Sequence, residues 1–300
     1  MLFLANVSGH SVRFRGKYLF TIKPASIILI AVLTLLVVFT ALPLVYLVVT
    51  AFKPIDELYL FPPTFFTRRP TFGNFKSLLN SLGNSEVPFV RYIFNSVFTT
   101  VATVFLTVFV CSLAAFGLVK QKPRGADLIF ALILMALMFP GTVTQIPNYL
   151  IIKKLGLLNN YWALIVPKIA VAFNFFLVKQ FMEQIPDAYM EAARLDGAGE
   201  MYIYWKIIMP MMKPAWATLI VFSFISNWND YTSALLYITD ASLKTLPLAV
   251  QMIAGGTGAA ALTTAGSVAA STFVMTLPVI IVYLVMQSKV LTTMAYSGIK

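Results

Sequence analysis

ASIILIAVLTLLVVFTALPLVYLVVTAF, residues Ala25 to Phe52, contains no charged side chain. A helix needs about 20 apolar residues to cross a hydrocarbon layer, and this run exceeds that. Arg13, Arg15, Lys17 and Lys23 precede it, as basic residues precede a signal peptide. The apolar stretch is too long for that role, and no small-residue cleavage site follows before Phe52-Lys53-Pro54. The run reads as a retained span, with a kink expected at Pro43 that neighbouring helices can accommodate.

Five more apolar stretches follow, near residues 89–119, 126–147, 160–181, 214–237 and 266–288. The 300 residues are 59% hydrophobic and 11% charged, with a mean hydropathy of +0.85. A soluble domain is about a quarter charged, and one core could not hide this much apolar surface from water. The expected fold is an all-α polytopic membrane protein with six transmembrane helices. With the N-terminus inside, the inner segments carry thirteen Lys or Arg and the outer ones eight, five of those in the long loop 53–91. Long loops translocate with less regard to charge, so the bias predicts N-in and C-in. The domain reading is a cytoplasmic segment 1–24 and a membrane domain 25–300. An external loop spans 53–88, and a cytoplasmic loop spans 182–212.

A net charge of +11 does not point to nucleic acid, because the basic residues are spread along connecting loops and no basic helix is interleaved with stacking aromatics. Cys111 is the single cysteine and sits in an apolar run, as a small buried hydrophobe would. His10 is the single histidine, so neither a His-rich metal site nor a Ser-His-Asp triad can be assembled. No catalytic residue and no metal site is expected. G-x-x-x-x-G-K-[ST] does not occur, so the chain offers no phosphate cradle of that kind. The external stretch FKPIDELYLFPPTFFTRRPTFGNF (Phe52–Phe75) is broken by Pro62-Pro63 and Pro70, which prevent a continuous helix and predict a folded cap with short helices. GGTGAAALTTAG (Gly255–Gly266) reads as a loop or a tightly packed helix start.

Between the fourth and fifth stretches lies IPDAYMEAARLDGAGEMYIYWKIIMP, residues Ile185 to Pro210. Pro186 suits a first helical position, Asp187 complements the dipole there, and Ala188 to Leu195 are mostly good helix formers. Gly197 suits a left-handed C-terminal cap. A second short helix is expected over roughly Glu200–Ile208, ended by Pro210. The helix–turn–helix should expose Tyr189, Met190, Tyr202, Tyr204 and Trp205. Composition leaves two readings open: an element that docks into a partner's groove, or a helix pair lying on lipid.

This segment resembles the EAA loop of ABC importer permeases, whose pattern is E-A-A, three residues, G, nine residues, I, one residue, L-P. Here stand Glu191-Ala192-Ala193, Gly197, Ile207, then Met209-Pro210, with Met for Leu the one departure. The likeness extends along most of the chain to the maltose-type carbohydrate uptake branch, in the subunit without a large extra domain. It is carried by Phe52-Lys53-Pro54 with Glu57-Leu58, Asn160-Tyr161-Trp162-Ala163-Leu164 with Pro167, and Lys179-Gln180-Phe181. Trp228-Asn229-Asp230, Leu246-Pro247-Leu248 and the ending Ser297-Gly298-Ile299-Lys300 extend it, whereas Thr293 stands where the family often has glycine.

The resemblance implies an ABC importer type I permease fold in a bacterial cytoplasmic membrane, with alternating access driven by a cytoplasmic ATPase. It implies a second homologous permease, two ATPase subunits that bind ATP and Mg, and an extracytoplasmic solute-binding protein as partners. No cofactor is expected in this chain. Glu191 would make a polar contact with the ATPase, Ala192 and Ala193 would permit close approach, Gly197 would make the turn, and Ile207 and Pro210 would anchor the loop to the bundle.

Within the spans, Lys168 is the most unusual residue. A central lysine costs about 2.5–3.5 kcal/mol on insertion scales, so it should face protein or water. It either lines a solute path and attracts an acidic sugar, or it snorkels or pairs with a polar group of the partner permease. Trp228, Asn229 and Asp230 either stack on and hydrogen-bond a sugar, or anchor a helix end. Gln145, Asn174 and Gln287 suit interhelical hydrogen bonds. An ion-coupled secondary transporter or channel is the alternative function, but such proteins place several ionisable groups inside their spans.

Overall fold

The computed structural model describes residues 24–81, 87–255 and 259–297. The expected inner segment up to residue 23, with His10, and the end of the chain from Gly298 lie outside the described residues. Residues 1–47 and 48–300 form two compact units. Helix α1 (Pro24–Ala51) runs through Pro43 and leaves Ile28, Leu35, Val37 and Phe39 exposed, a surface that only an apolar medium covers without penalty.

From residue 48 onward the chain is helical throughout its described elements. Two short helices, α2 (Ile55–Leu58) and α3 (Gly73–Ser81), build the cap expected from the proline-broken loop. Lys53 is buried and donates to the carbonyl of Thr64 at 2.5 Å. Glu57, also buried, accepts from Thr67 Oγ1 at 2.9 Å and from the Arg68 amide at 3.0 Å. Asn74 donates to the carbonyls of Ala51 at 3.0 Å and Lys53 at 2.7 Å. The cap is therefore held by buried polar groups bonded across it, through Lys53, Glu57 Oε2 and Asn74, and such bonds are costly to unpair.

Helix α4 (Phe89–Val119) is 31 residues long. At about 1.5 Å per residue it is long enough to cross a bilayer with residues to spare. Asn95, Thr99, Thr103, Thr107, Cys111, Ala115 and Val119 are all buried, and a spacing of four makes them one ridge that winds slowly about the helix. Small residues on such a stripe let neighbouring helices approach closely. Their hydroxyls are satisfied locally: Thr99 donates to the Asn95 carbonyl and Thr103 to the Thr99 carbonyl, both at 2.7 Å.

Around α4 pack helices that are bent or broken where single spans were expected. The stretch 126–147 is not one continuous helix: α5 (Ala126–Leu137) and α6 (Gly141–Lys154) meet at 110°. Pro140 causes the break, because proline keeps the preceding residue out of the helical region. The stretch 160–181 is two helices, α7 (Tyr161–Ile169) and α8 (Ala172–Glu183), bent by 42° just after Pro167. Two groups of the α4 stripe meet the carbonyls freed there: Thr107 Oγ1 donates to Lys168 at 3.3 Å and Cys111 Sγ to Ile169 at 3.6 Å.

Beyond these come α9 (Ala188–Leu195), α10 (Glu200–Ile203), a π-helical turn over Tyr204–Ile208, α11 (Met209–Met211) and α12 (Lys213–Trp228). The expected span 214–237 ends early, because α12 stops at Trp228 and α13 (Thr232–Tyr237) starts anew with Asp230 Oδ1 accepting from the Ser233 amide at 3.1 Å. Then α14 (Leu246–Ala254) and α15 (Ala259–Ser297) close the bundle, α15 against α12, α14 and the cap.

The small-residue passage is a helix start over its described part. Gly266 lies in α15 against the cap: a Cβ there would stand 2.3 Å from Asn74 Oδ1. Because Asn74 is buried and holds the ends of α1 and Lys53, Gly266→Ala should loosen the cap. The check is hydrogen exchange: protection should fall over residues 71–76, with α12 unchanged.

Candidate functional site

The elbow between α8 and α12 is built by short-range rules at its tip and by long-range pairing at its base. At the tip, Gly197 has φ +81°, a left-handed conformation that costs other residues about 1–2 kcal/mol. Its amide donates to Arg194 at 3.0 Å and the next amide, Ala198, reaches back to Ala193 at 2.9 Å, which is the Schellman arrangement. Arg194 clamps Glu200 across the turn, Nε to Oε1 at 2.8 Å and the terminal nitrogen to Oε2 at 3.2 Å. Gln121, in the connection after α4, donates to the same carboxylate.

The base is fixed by Lys120, the residue that ends α4. Its side chain is 2% exposed, and its ammonium donates to the Ile185 carbonyl at 2.5 Å and to Asp187 at 2.8 Å. Lys122 takes the other oxygen of Asp187 at 3.1 Å. Asp187 thus serves as an ion-pair partner and gives no side-chain hydrogen bond to its own helix, and Pro186 lies outside the first helical position because α9 begins at Ala188.

The hydrogen bonds from Lys120, then from Lys122, hold the Asp187 carboxyl below the ordinary carboxylate range. A lowered folded-state pKa contributes stability above the unfolded value and loses it as pH falls through the folded one. Elbow attachment should therefore be insensitive to pH through neutrality and weaken below about pH 4. Limited proteolysis of residues 185–200 across an acid titration tests this, and Asp187→Asn should remove the dependence.

Of the aromatic surface expected on the elbow, Tyr189, Tyr202 and Trp205 are exposed, but Met190 and Tyr204 are buried. They pack with Phe116, Val178, Met182, Ile203, Ile208 and Met212 into a core cluster that joins elbow to bundle. Ile207 is half-buried against that cluster, while Pro210 is exposed. Pro210 acts through the backbone. It lacks the donor for an α-helical bond to Lys206 and its ring crowds that carbonyl, so the chain widens to a π-turn in which Met209 donates to Tyr204. The second helix consequently does not end at Pro210 but continues to Met211 and meets α12 at 76°. Glu191 and Ala192 are exposed beside Leu195, which is 90% exposed at the tip.

A second constellation lies where two helix breaks meet. Lys168, near the end of α7, forms an ion pair with Asp230, between α12 and α13, each side chain 19% exposed. Of the alternatives open for Lys168, the structure shows a pairing, and the partner is within this chain. Around the pair, Thr99, Thr103, Asn227 and Thr245 line a void of about 10 Å³. Asn227 Oδ1 and Thr245 Oγ1 have no partner among the described residues, and that volume is room for one water.

Trp228 is not offered for stacking on a sugar: it is buried, stacks on Phe224 and donates to the Met275 carbonyl at 2.8 Å. Asn229 is exposed and donates to Ile225 at 2.9 Å. Lys120, Lys122, Gln121 and Leu195 were not legible as site residues. Their one sequence signal is the basic cluster after the second span, which reads equally well as topology.

A bundle of bent apolar helices with a rigid elbow defines a multi-pass helical membrane protein. Residues 83–291 match the family described as binding-protein-dependent transport system inner membrane component, and the chain belongs to that family. It is a multi-pass protein of the bacterial inner membrane. The chain is 33% identical to Protein LplC of Bacillus subtilis (strain 168) over 219 residues, 71% of this chain and 70% of that one. From the same organism, the polygalacturonan/rhamnogalacturonan transport system permease protein YtcP is 37% identical over 162 residues, 51% of this chain and 56% of that protein. In fold it is similar, with a TM-score of 0.77 and 25% identity over 91% of this chain and 99% of the other, to a crystal structure of a bacterial ABC transporter involved in the import of the acidic polysaccharide alginate.

Proposed function

We propose that this chain is one permease of an ATP-driven importer of carbohydrates, and that the 185–210 elbow is where ATP-driven motion enters its helices. The observation that carries this reading is the mechanics of the elbow. Its tip presents Glu191, Ala192 and Leu195 to a partner, while its base is tied to α4 by Lys120 and to α12 by the Tyr204–Met212 core. A push at the tip therefore moves α4 and α12 rather than bending a loop.

In this reading both termini and the elbow are cytoplasmic. Two ATPase subunits seat on this elbow and on that of a second permease, and they bind the ATP and Mg. A solute-binding protein delivers the solute from the other side. The solute class is an oligosaccharide bearing carboxylates. What supports this is the likeness to a polygalacturonan/rhamnogalacturonan transport system permease and to a transporter involved in the import of the acidic polysaccharide alginate.

Gly197→Val tests the elbow. A Cβ at Gly197 meets nothing within 4 Å, so the substitution acts only through its left-handed backbone. In proteoliposomes holding both permeases, the ATPases and the solute-binding protein, ATP hydrolysis should persist while uptake falls at least tenfold at equal membrane abundance. Normal uptake by a Glu191→Ala/Gly197→Val chain would sink the proposal.

A further inference from the structure

We infer that the cap between α1 and α4 is a membrane anchor, with its aromatic edge seated in the headgroup layer of the bilayer and its free arginine on lipid phosphate. Tyr59, Leu60, Phe61 and Phe66 are exposed, Phe61 at 95% and Phe66 at 67%. They are not displayed by a slack loop. Lys53 holds the Thr64 carbonyl, Glu57 holds Thr67 and Arg68, and the Thr71 amide donates to Phe52 at 2.8 Å. A scaffold cross-bonded through the buried Lys53 and Glu57 thus presents large apolar side chains outward.

What covers them follows from where the cap begins. The apolar run ends at Phe52, and the residues pinned to the cap, Ala51, Phe52 and Lys53, are those that leave the hydrocarbon. Phe66 is two residues from Thr64 and Phe61 three, at most about 7 and 10 Å of chain from a point fixed to that exit. The interfacial layer on each side of a bilayer is about 5–7 Å thick. Tyrosine favours that layer for its amphipathic ring, and phenylalanine and leucine bury at the headgroup–acyl boundary as apolar area. Charge agrees: Asp56 is taken by Arg69 at 2.6 Å, and the Arg68 guanidinium is exposed without a partner among the described residues. Arginine is suited to bidentate contact with phosphate. Only the membrane location of the chain is required here, so a failure of the importer reading would leave the anchor standing, and the reverse.

The test is a nitroxide at position 61, and in a second chain at position 66, with Cys111 replaced by alanine. The assembled transporter is placed in nanodiscs of phosphatidylethanolamine and phosphatidylglycerol. Phe61 is almost wholly exposed, so Phe61→Cys does not disturb folding. Collisions with oxygen should exceed those with a water-soluble nickel chelate several-fold at both positions. A nickel excess would put the edge in water, and inaccessibility to both reagents would put it against protein. A probe that becomes immobile only when the solute-binding protein is added would make the edge a protein-docking surface. Any of these three overturns the inference.

Discussion

Lys168→Met should lower the amount of folded protein in the membrane, and adding Asp230→Asn should restore it. The single change leaves the Asp230 carboxylate inside the bundle with Ser233, through its amide and side chain, as its remaining partner among the described residues. Removing one member of a buried ion pair costs about 3–5 kcal/mol because the other charge stays unpaired. That is a large share of a native protein's stability. The double change removes both charges and keeps an acceptor for Ser233, and neutral replacement of such a pair is often nearly neutral in stability. The pair also joins two helix breaks, the α7–α8 bend and the end of α12, so its loss should show first as increased hydrogen exchange at both. Membrane abundance and thermal unfolding of the three purified chains decide it. A double variant no better than Lys168→Met would mean that the cost lies in lost packing of the lysine stem rather than in the stranded charge.

That pair marks where sequence reading stops. Lys168 and Asp230 both stand out in the chain, one as a cation within a span and one beside a conspicuous Trp-Asn-Asp triplet. Composition assigns each a partner of unlike charge, but nothing local says that the partner is the other, sixty-two positions away. Lys120 and Asp187 are the same case at the elbow. By contrast, features set by neighbours were legible. Gly197 adopts the left-handed turn its position demands, and the prolines of the loop after α1 break it into short helices. The helix breaks fall between these extremes. Pro140 and Pro167 are visible, yet hydropathy runs on across them. A window that averages apolarity cannot see a 110° turn. The burial of Met190 and Tyr204 was hidden for a related reason: the elbow's periodicity shows two faces, and only the bundle decides which one is inside.

Lys120→Met should abolish uptake by at least tenfold while ATP hydrolysis by the assembled transporter continues. Lys120 is a buried side chain that bonds both the entry of the elbow, at the Ile185 carbonyl, and the residue that precedes its first helix, Asp187. Hydrogen bonds to a charged group contribute about 1.5–3 kcal/mol each. Losing both would shift an attached–detached equilibrium of the elbow base by about a hundredfold or more, at 1.4 kcal/mol per tenfold. A detached base lets the tip move without carrying α4. Asp187→Asn is the informative companion, because it keeps an oxygen for Lys120 and leaves the bond to Ile185 intact, so uptake should fall only slightly. Lys122→Met removes an exposed pair, and exposed pairs contribute about 0–1 kcal/mol, so it should be close to wild type. Uptake, hydrolysis and membrane abundance measured on the three chains give a graded series. If Lys120→Met lowers hydrolysis and uptake together at full abundance, the lysine shapes the ATPase seat instead of transmitting its motion. If Lys122→Met is the damaging change, the load passes through the exposed carboxylate oxygen and not through the buried ammonium.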